Sequence, residues 1–194
     1  MRRCPRHAFV ILLLLCALAF GRELVVNGNF EREPTANGWL FERWGNYPDT
    51  GNCRLRWRHD FNPDRDFEVM VQKTLHRGAR LSQVVPVPTF DLGFDVSAKM
   101  FSRTNSETTW TAACICLDYL DAYDSVLGST RVYKPTSGCT WVSDDTLHLI
   151  RVDDTLWHDY HLDVNAELSN LPGVTRSDIR AIRVAALGFV IADC

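Results

Sequence analysis

The sequence lacks most of the signatures that announce a chemistry. It has no Gly-x-Ser-x-Gly elbow, no His-Glu-x-x-His, no Walker loop and no Gly-x-Gly-x-x-Gly. The common nucleophile, zinc-hydrolase and phosphate-cradle motifs are therefore missing. No Cys-x-x-Cys pair is present, which removes a zinc ribbon. Strand-borne glutamates are scarce: Glu68 is the clearest and has no obvious partner, so the facing carboxylates of a glycosidase are not visible. The expectation is that the chain is not an enzyme. Positive charge is not in surplus either. Lys and Arg number 21 against 24 Asp and Glu, a formal net charge of −3, which argues against a nucleic-acid partner. Beyond the N-terminal leader no apolar run is long enough to span a bilayer. No Asn-x-Ser/Thr acceptor occurs.

What is present begins with that leader. Arg2, Arg3 and Arg6 form a basic head, residues 9–15 an unbroken apolar run, and Ala17-Leu18-Ala19 a small-x-small signal. Residues 1–21 thus read as a signal peptide, cut after Ala19 or Gly21, for a protein that is secreted or held in the cell envelope. An uncleaved anchor and lipid attachment at Cys16 are the competing readings. Cleavage removes three arginines and takes the net charge from −3 to −6. Five cysteines remain: Cys53, Cys114, Cys116, Cys139 and Cys194. The odd count leaves at least one thiol free or paired between chains. Cys114 and Cys116 sit two apart on an expected strand, so their side chains run parallel and do not suit a bridge to each other.

Residues 22–194 read as one domain with ordinary globular composition. Period two dominates. Leu92, Phe94, Val96, Ala98 and Met100 share one face of a half-buried strand. Ala113, Ile115, Leu117 and Tyr119 alternate with Ala112, Cys114, Cys116 and Asp118. Further strands are expected at 126–133, 145–152, 158–164 and 179–190, with the first pairing to 111–120 across "DAYDS". Segments 67–73 and 79–87 read as a hairpin joined by "TLHRG". The one helix candidate is 164–171, capped by Asn165. Turn signals recur about every ten residues. The fold class is all-β, a two-sheet antiparallel β-sandwich.

The stretch "ELVVNGNFEREPTANGW" (23–39) carries a short strand, then Asn27, Gly28, Phe30 and Glu31, then Gly38-Trp39. "LSQVVPVP" (81–88), "FDLGFDVSAKM" (90–100), "LDYLDAYDSVLG" (117–128) and "TLWHDYHLDVNAEL" (155–168) follow in order. Together they resemble galactose-binding-like jelly-roll domains, similar to several families of carbohydrate-binding modules. The resemblance spans nearly all of 22–194. It implies a structural calcium held by the Asn29 carbonyl and the Glu31 and Asp193 carboxylates, with Asp64 or Asp66 as a further ligand to reach the six to eight oxygens calcium takes. It also implies a polysaccharide or oligosaccharide partner, with Trp39 and Trp157 at core positions.

Sugars bind by stacking C–H faces on flat aromatics beside polar groups that fix hydroxyls. The candidates for that role are Trp44, Tyr47 and Trp57 with Arg43 and Arg56, in or beside the turn-rich segment 43–66, and Trp110 with Arg103 and Asn105. Burial of Trp44 and Trp57 in short strands is the competing reading. The row Asp159, His161, Asp163 reads as a solvated strand face, and His59 beside Asp60 as surface. The function expected is carbohydrate binding. The alternative is a cell-surface or envelope interaction protein on the same fold, with no glycan site.

Overall fold

The computed structural model describes residues 23–45, 50–57, 67–105 and 109–192, with backbone alone at 55–57, 67 and 191–192. The leader, Tyr47, His59, Asp60, Asp64, Asp66, Asp193 and Cys194 lie outside these residues. The described chain is an all-β sandwich. Its strands are β1 (Leu40–Trp44), β2 (Gly51–Trp57), β3 (Phe67–Lys73), β4 (Arg77–Pro86), β5 (Gly93–Lys99), β6 (Thr109–Leu120), β7 (Val126–Pro135), β8 (Leu147–Arg151), β9 (Trp157–Asp163) and β10 (Ala181–Ala192). One helix, α1 (Val164–Ser169), follows β9.

Six strands form the main sheet in the order β1-β4-β10-β6-β7-β8; β2 pairs with β3 and β5 with β9 in two separate ribbons. Alternation along the central strands creates two faces. The inner face presents Leu81, Leu117, Tyr119, Val132, Ile182 and Val184. Cys53, Val69 and Val71 of one ribbon, Phe94 and Leu162 of the other, and Val164 and Leu168 of α1 pack against it. The ribbons and α1 are thus the second layer that the apolar face requires.

Several local expectations are corrected. Residues 24–26 are not a strand. Instead the Gln83 side chain takes the place of a neighbouring strand: Val26 N–H donates to Gln83 Oε1 at 2.7 Å, and Gln83 Nε2 donates to the Val26 carbonyl at 3.0 Å. Trp39 then caps this end, its Nε1 donating to the same carbonyl while its ring lies 5.1 Å from that of Phe30. The hairpin expected between 67–73 and 79–87 does not form; β3 pairs with β2, and β4 with β1 and β10. At the join, His76 (φ 26°) and Arg77 (φ 69°) are both left-handed, an uncommon conformation for side-chain-bearing residues, and the chain changes layers there. Helix α1 is capped by Asp163, whose carboxylate accepts from the N–H groups of Asn165 and Ala166; Asn165 is inside the helix.

The β6–β7 hairpin forms as expected. Asp121 Oδ1 accepts from the N–H groups of Tyr123 and Ser125, fixing the turn. The sandwich is not wholly antiparallel, because β8 runs parallel to β7. A parallel neighbour obliges the chain to return along the sheet before pairing. Residues 136–146 make that return.

Candidate functional site

The crossover 136–146 passes over the outer face of the main sheet and sets Trp141 upon it. The Trp141 ring lies 5.4 Å from that of Trp110, 5.6 Å from Phe189 and 5.9 Å from Tyr133. Both ends of the crossover are tied down. Thr136 and Thr111 exchange bonds, Thr111 N–H to Thr136 Oγ1 and Thr136 N–H to the Thr111 carbonyl, each 2.9 Å. At the other end, Leu149 N–H donates to Ser143 Oγ, and Asp144 accepts from both the N–H and the hydroxyl of Thr146. Those bonds hold the Asp144 carboxyl below the usual carboxylate range.

Between Trp141 and β1 lies an open-sided cavity of about 360 Å³. Trp44 of β1 and Trp141 contribute to its walls, with Arg80, Arg131, Arg183 and Asp118. The register explains the grouping. Asp118 faces Arg183 on β10 and Ser129 on β7; Cys116 faces Ala185 and Arg131; Trp44 faces Gly78 of β4. Gly78 has no side chain to obstruct the indole, and a Cβ there would overlap the Trp44 ring itself. Trp44 therefore lies close against the sheet and is half-buried.

The charges are arranged in pairs, with one exception. Arg183 grips Asp118 Oδ2 through Nε (2.9 Å) and Nη2 (2.6 Å), while Ser129 Oγ donates to Oδ1 at 2.7 Å. Asp118 is only 6 % exposed, so this is a buried carboxylate with its charge and both oxygens satisfied. Arg80 holds Glu42 in the same way, through Nε at 3.0 Å and Nη2 at 2.6 Å. Arg131 stacks its guanidinium 4.8 Å from the centroid of Trp141. Its Nε is buried and has no hydrogen-bond partner among the described residues. The two acids do not face each other. Three strand spacings separate β1 from β6, about 14 Å before any offset along the strands.

Cys114 and Cys116 line up on the same outer face of β6, with Cys139 and Trp141 packed nearby. All four described cysteines, including Cys53, are free thiols. A hydrogen bond to Cys116 and burial push the Cys114 thiol up, and burial with the nearby Glu33 charge raises Cys53 to about 11. Cys53 and Cys114 are packing groups rather than nucleophiles.

Of the residues singled out by sequence, Trp44 lies in the cavity wall. Arg43, next to it, is on the opposite face of β1, where Nη1 donates to the Gly51 carbonyl. Trp110 is 5 % exposed beneath Trp141, so it supports the site from below and its ring is not free to receive a ligand. Arg103 and Asn105 bond to each other on the surface. Arg56 and Trp57 belong to β2, in the ribbon layer behind the inner face of the main sheet. Asn29 and Glu31 are exposed. Among the described residues no three His, Cys, Asp or Glu side chains gather as a metal site, and the calcium ligand set implied by the resemblance would have to be completed by Asp193, outside them. His161 pairs with Asp95, directly opposite on β5, through Nδ1 to Oδ1 at 2.6 Å. No described helix is long and apolar enough to cross a membrane.

Sequence reasoning missed Trp141, Arg131, Arg183 and Arg80. The available signal was the second face of β6: Asp118 shares a face with Cys114 and Cys116, and an acid in such a row needs a cation.

No protein-family model matches the chain, and no curated protein matches it. In solved structures the chain is similar to a loop-swap mutant of Necallimastix patriciarum Xyn11A, with 11% identity over 79% of this chain and 87% of that one, at a TM-score of 0.39. That protein is a xylanase, and the expectation that this chain is not an enzyme does not stand, since absent motifs alone do not exclude catalysis. At this TM-score and identity the likeness establishes no activity either.

Proposed function

We propose that the outer face of the main sheet binds a carbohydrate. One observation carries the reading: two half-buried tryptophans, Trp44 and Trp141, stand in the wall of one cavity with three arginines and a fixed carboxylate. Aromatic faces receive pyranose C–H groups, and polar groups at their edges select hydroxyls. The cavity volume falls in the usual small-ligand range of about 300–1,000 Å³. Asp118 is held by Arg183 and Ser129 and so needs no reorganisation when a ligand arrives. The finer likeness to galactose-binding-like domains and carbohydrate-binding modules, the export implied by the leader, and a structural calcium at Asn29, Glu31 and Asp193 belong to this proposal.

A glycan array on the purified protein, with and without chelator, tests it. Binding to at least one glycan is expected, weakened about tenfold or more in Trp44→Ala and in Trp141→Ala, since loss of a stacking partner worth about 1.4 kcal/mol is tenfold in affinity. No binding to any glycan sinks the reading. A melting temperature unmoved by chelator sinks the calcium.

A further inference from the structure

We propose that this cavity selects a saccharide bearing a carboxylate, and that Arg131 is the residue that receives it. The inference deepens the carbohydrate reading and rests on it. Arg80, Arg131 and Arg183 bring three positive charges to this face, and the carboxylates bound to them are two, Glu42 and Asp118. The local excess of one positive charge occurs in a chain whose formal net charge is −3, so it is a property of the site and not of the surface as a whole.

Arg131 is the source of that excess. Its neighbours across the sheet are Cys116 on β6 and Leu149 on β8, neither of which offers a carboxylate. No ion pair holds it, and its buried Nε lacks an acceptor among the described residues. Leaving such a donor unmet in a partly dry site is unfavourable. Arginine presents its N–H groups as a planar fork suited to a carboxylate, and the other two arginines of the face are already engaged, each placing Nε and Nη2 on one carboxylate oxygen. The guanidinium is also fixed in orientation by stacking on Trp141. A sugar ring lying along the tryptophan wall would carry a ring carboxylate to the open side of that fork. Neutral sugars would leave its charge without a counter-ion, so discrimination follows from the uncompensated charge as much as from the new bond.

The test is a titration of the full chain with polygalacturonate, alginate and hyaluronan, each beside its carboxyl-reduced counterpart, and with dextran sulfate. At least one uronate polymer is expected to bind tenfold or more tighter than its reduced form. Arg131→Gln should abolish that difference by lowering affinity for the acid polymer tenfold or more beyond any change for the reduced one, and Arg131→Lys should recover only part of it. Equal binding of acid and reduced polymers, an unaltered preference in Arg131→Gln, or dextran sulfate binding tighter than every uronate overturns the inference. Reduced polymers that bind as well as the acids, through Trp44, leave the carbohydrate reading intact and remove this one. If no polymer of either kind binds, this inference falls, and the glycan array alone decides the carbohydrate reading. Should Arg131→Gln fail to fold, the acid-to-reduced ratio on the unaltered protein decides.

Discussion

On β6, Leu117 and Tyr119 point into the space closed by the ribbons and α1, while Cys116 and Asp118, their neighbours in the chain, point to the outer cavity. The two faces differ in how they are finished. The inner one is sealed by a second layer, and its polar groups are matched inside the protein. Tyr119 lies 3.4 Å from Thr130, Thr130 donates to Glu167, and Glu167 is 2.6 Å from His148. Burial raises the Tyr119 hydroxyl to about 12, so it stays protonated as part of this chain of bonds. Among the described residues only the crossover lies over the outer face, and the charges there do not cancel. A sheet face whose bonds are all internal serves stability. One that keeps a surplus donor beside two aromatic walls has something left for a ligand.

Mutations that separate the two faces should sort by size. Leu117→Ala, at a position 1 % exposed on the inner face, should be the most damaging, at about 2–5 kcal/mol in denaturant unfolding. A loss below about 1 kcal/mol would mean that the ribbons do not close that face. Arg183→Ala should follow at about 2–3 kcal/mol, because it strands the buried Asp118. The double change Arg183→Met with Asp118→Leu should recover most of that loss while removing the cavity's fixed polar edge. If it does not recover stability, the pair contributes more than its own desolvation.

The smallest effect belongs to the exposed His161–Asp95 pair. A hydrogen bond donated by His161 to Asp95, together with the Asp95 charge, raises the His161 pKa above its ordinary 6.5. The folded value is the higher one, so the pair's contribution is complete below about pH 6.5 and disappears as pH climbs through the raised value. Asp95→Asn should therefore lower the melting temperature slightly at pH 5.5 and leave it unchanged at pH 9. An equal drop at both would assign the effect to something other than protonation.

Strict alternation made much of the inner face legible. Phe94, Val96 and Ala98 on β5, and Leu117 and Tyr119 on β6, could be placed because period two and burial coincide there. The β6–β7 turn was legible because Asp121 supplies its own local acceptor. Pairing was harder to read. Nothing near 74–78 announces that two adjacent strands join different layers, since the decisive left-handed pair is His76-Arg77 and neither is the glycine that usually marks that conformation. The site was mostly illegible for a related reason. Arg131 and Arg183 have the pattern of solvent-facing strand residues, and Trp141 is a lone aromatic in an irregular segment. The β10–β6–β7 register brings the two arginines to one face, and the return of the chain to a parallel β8 sets Trp141 over them.

The depth of that cavity depends on a hydrogen atom. Gly78 presents one where any other residue would present carbon, and the indole of Trp44 settles into the space. A methyl at position 78 would tip the ring upward, narrow the opening from below and turn a flat shelf into a post. The shape of the cavity would then be set from β4, by a residue hidden beneath the ring.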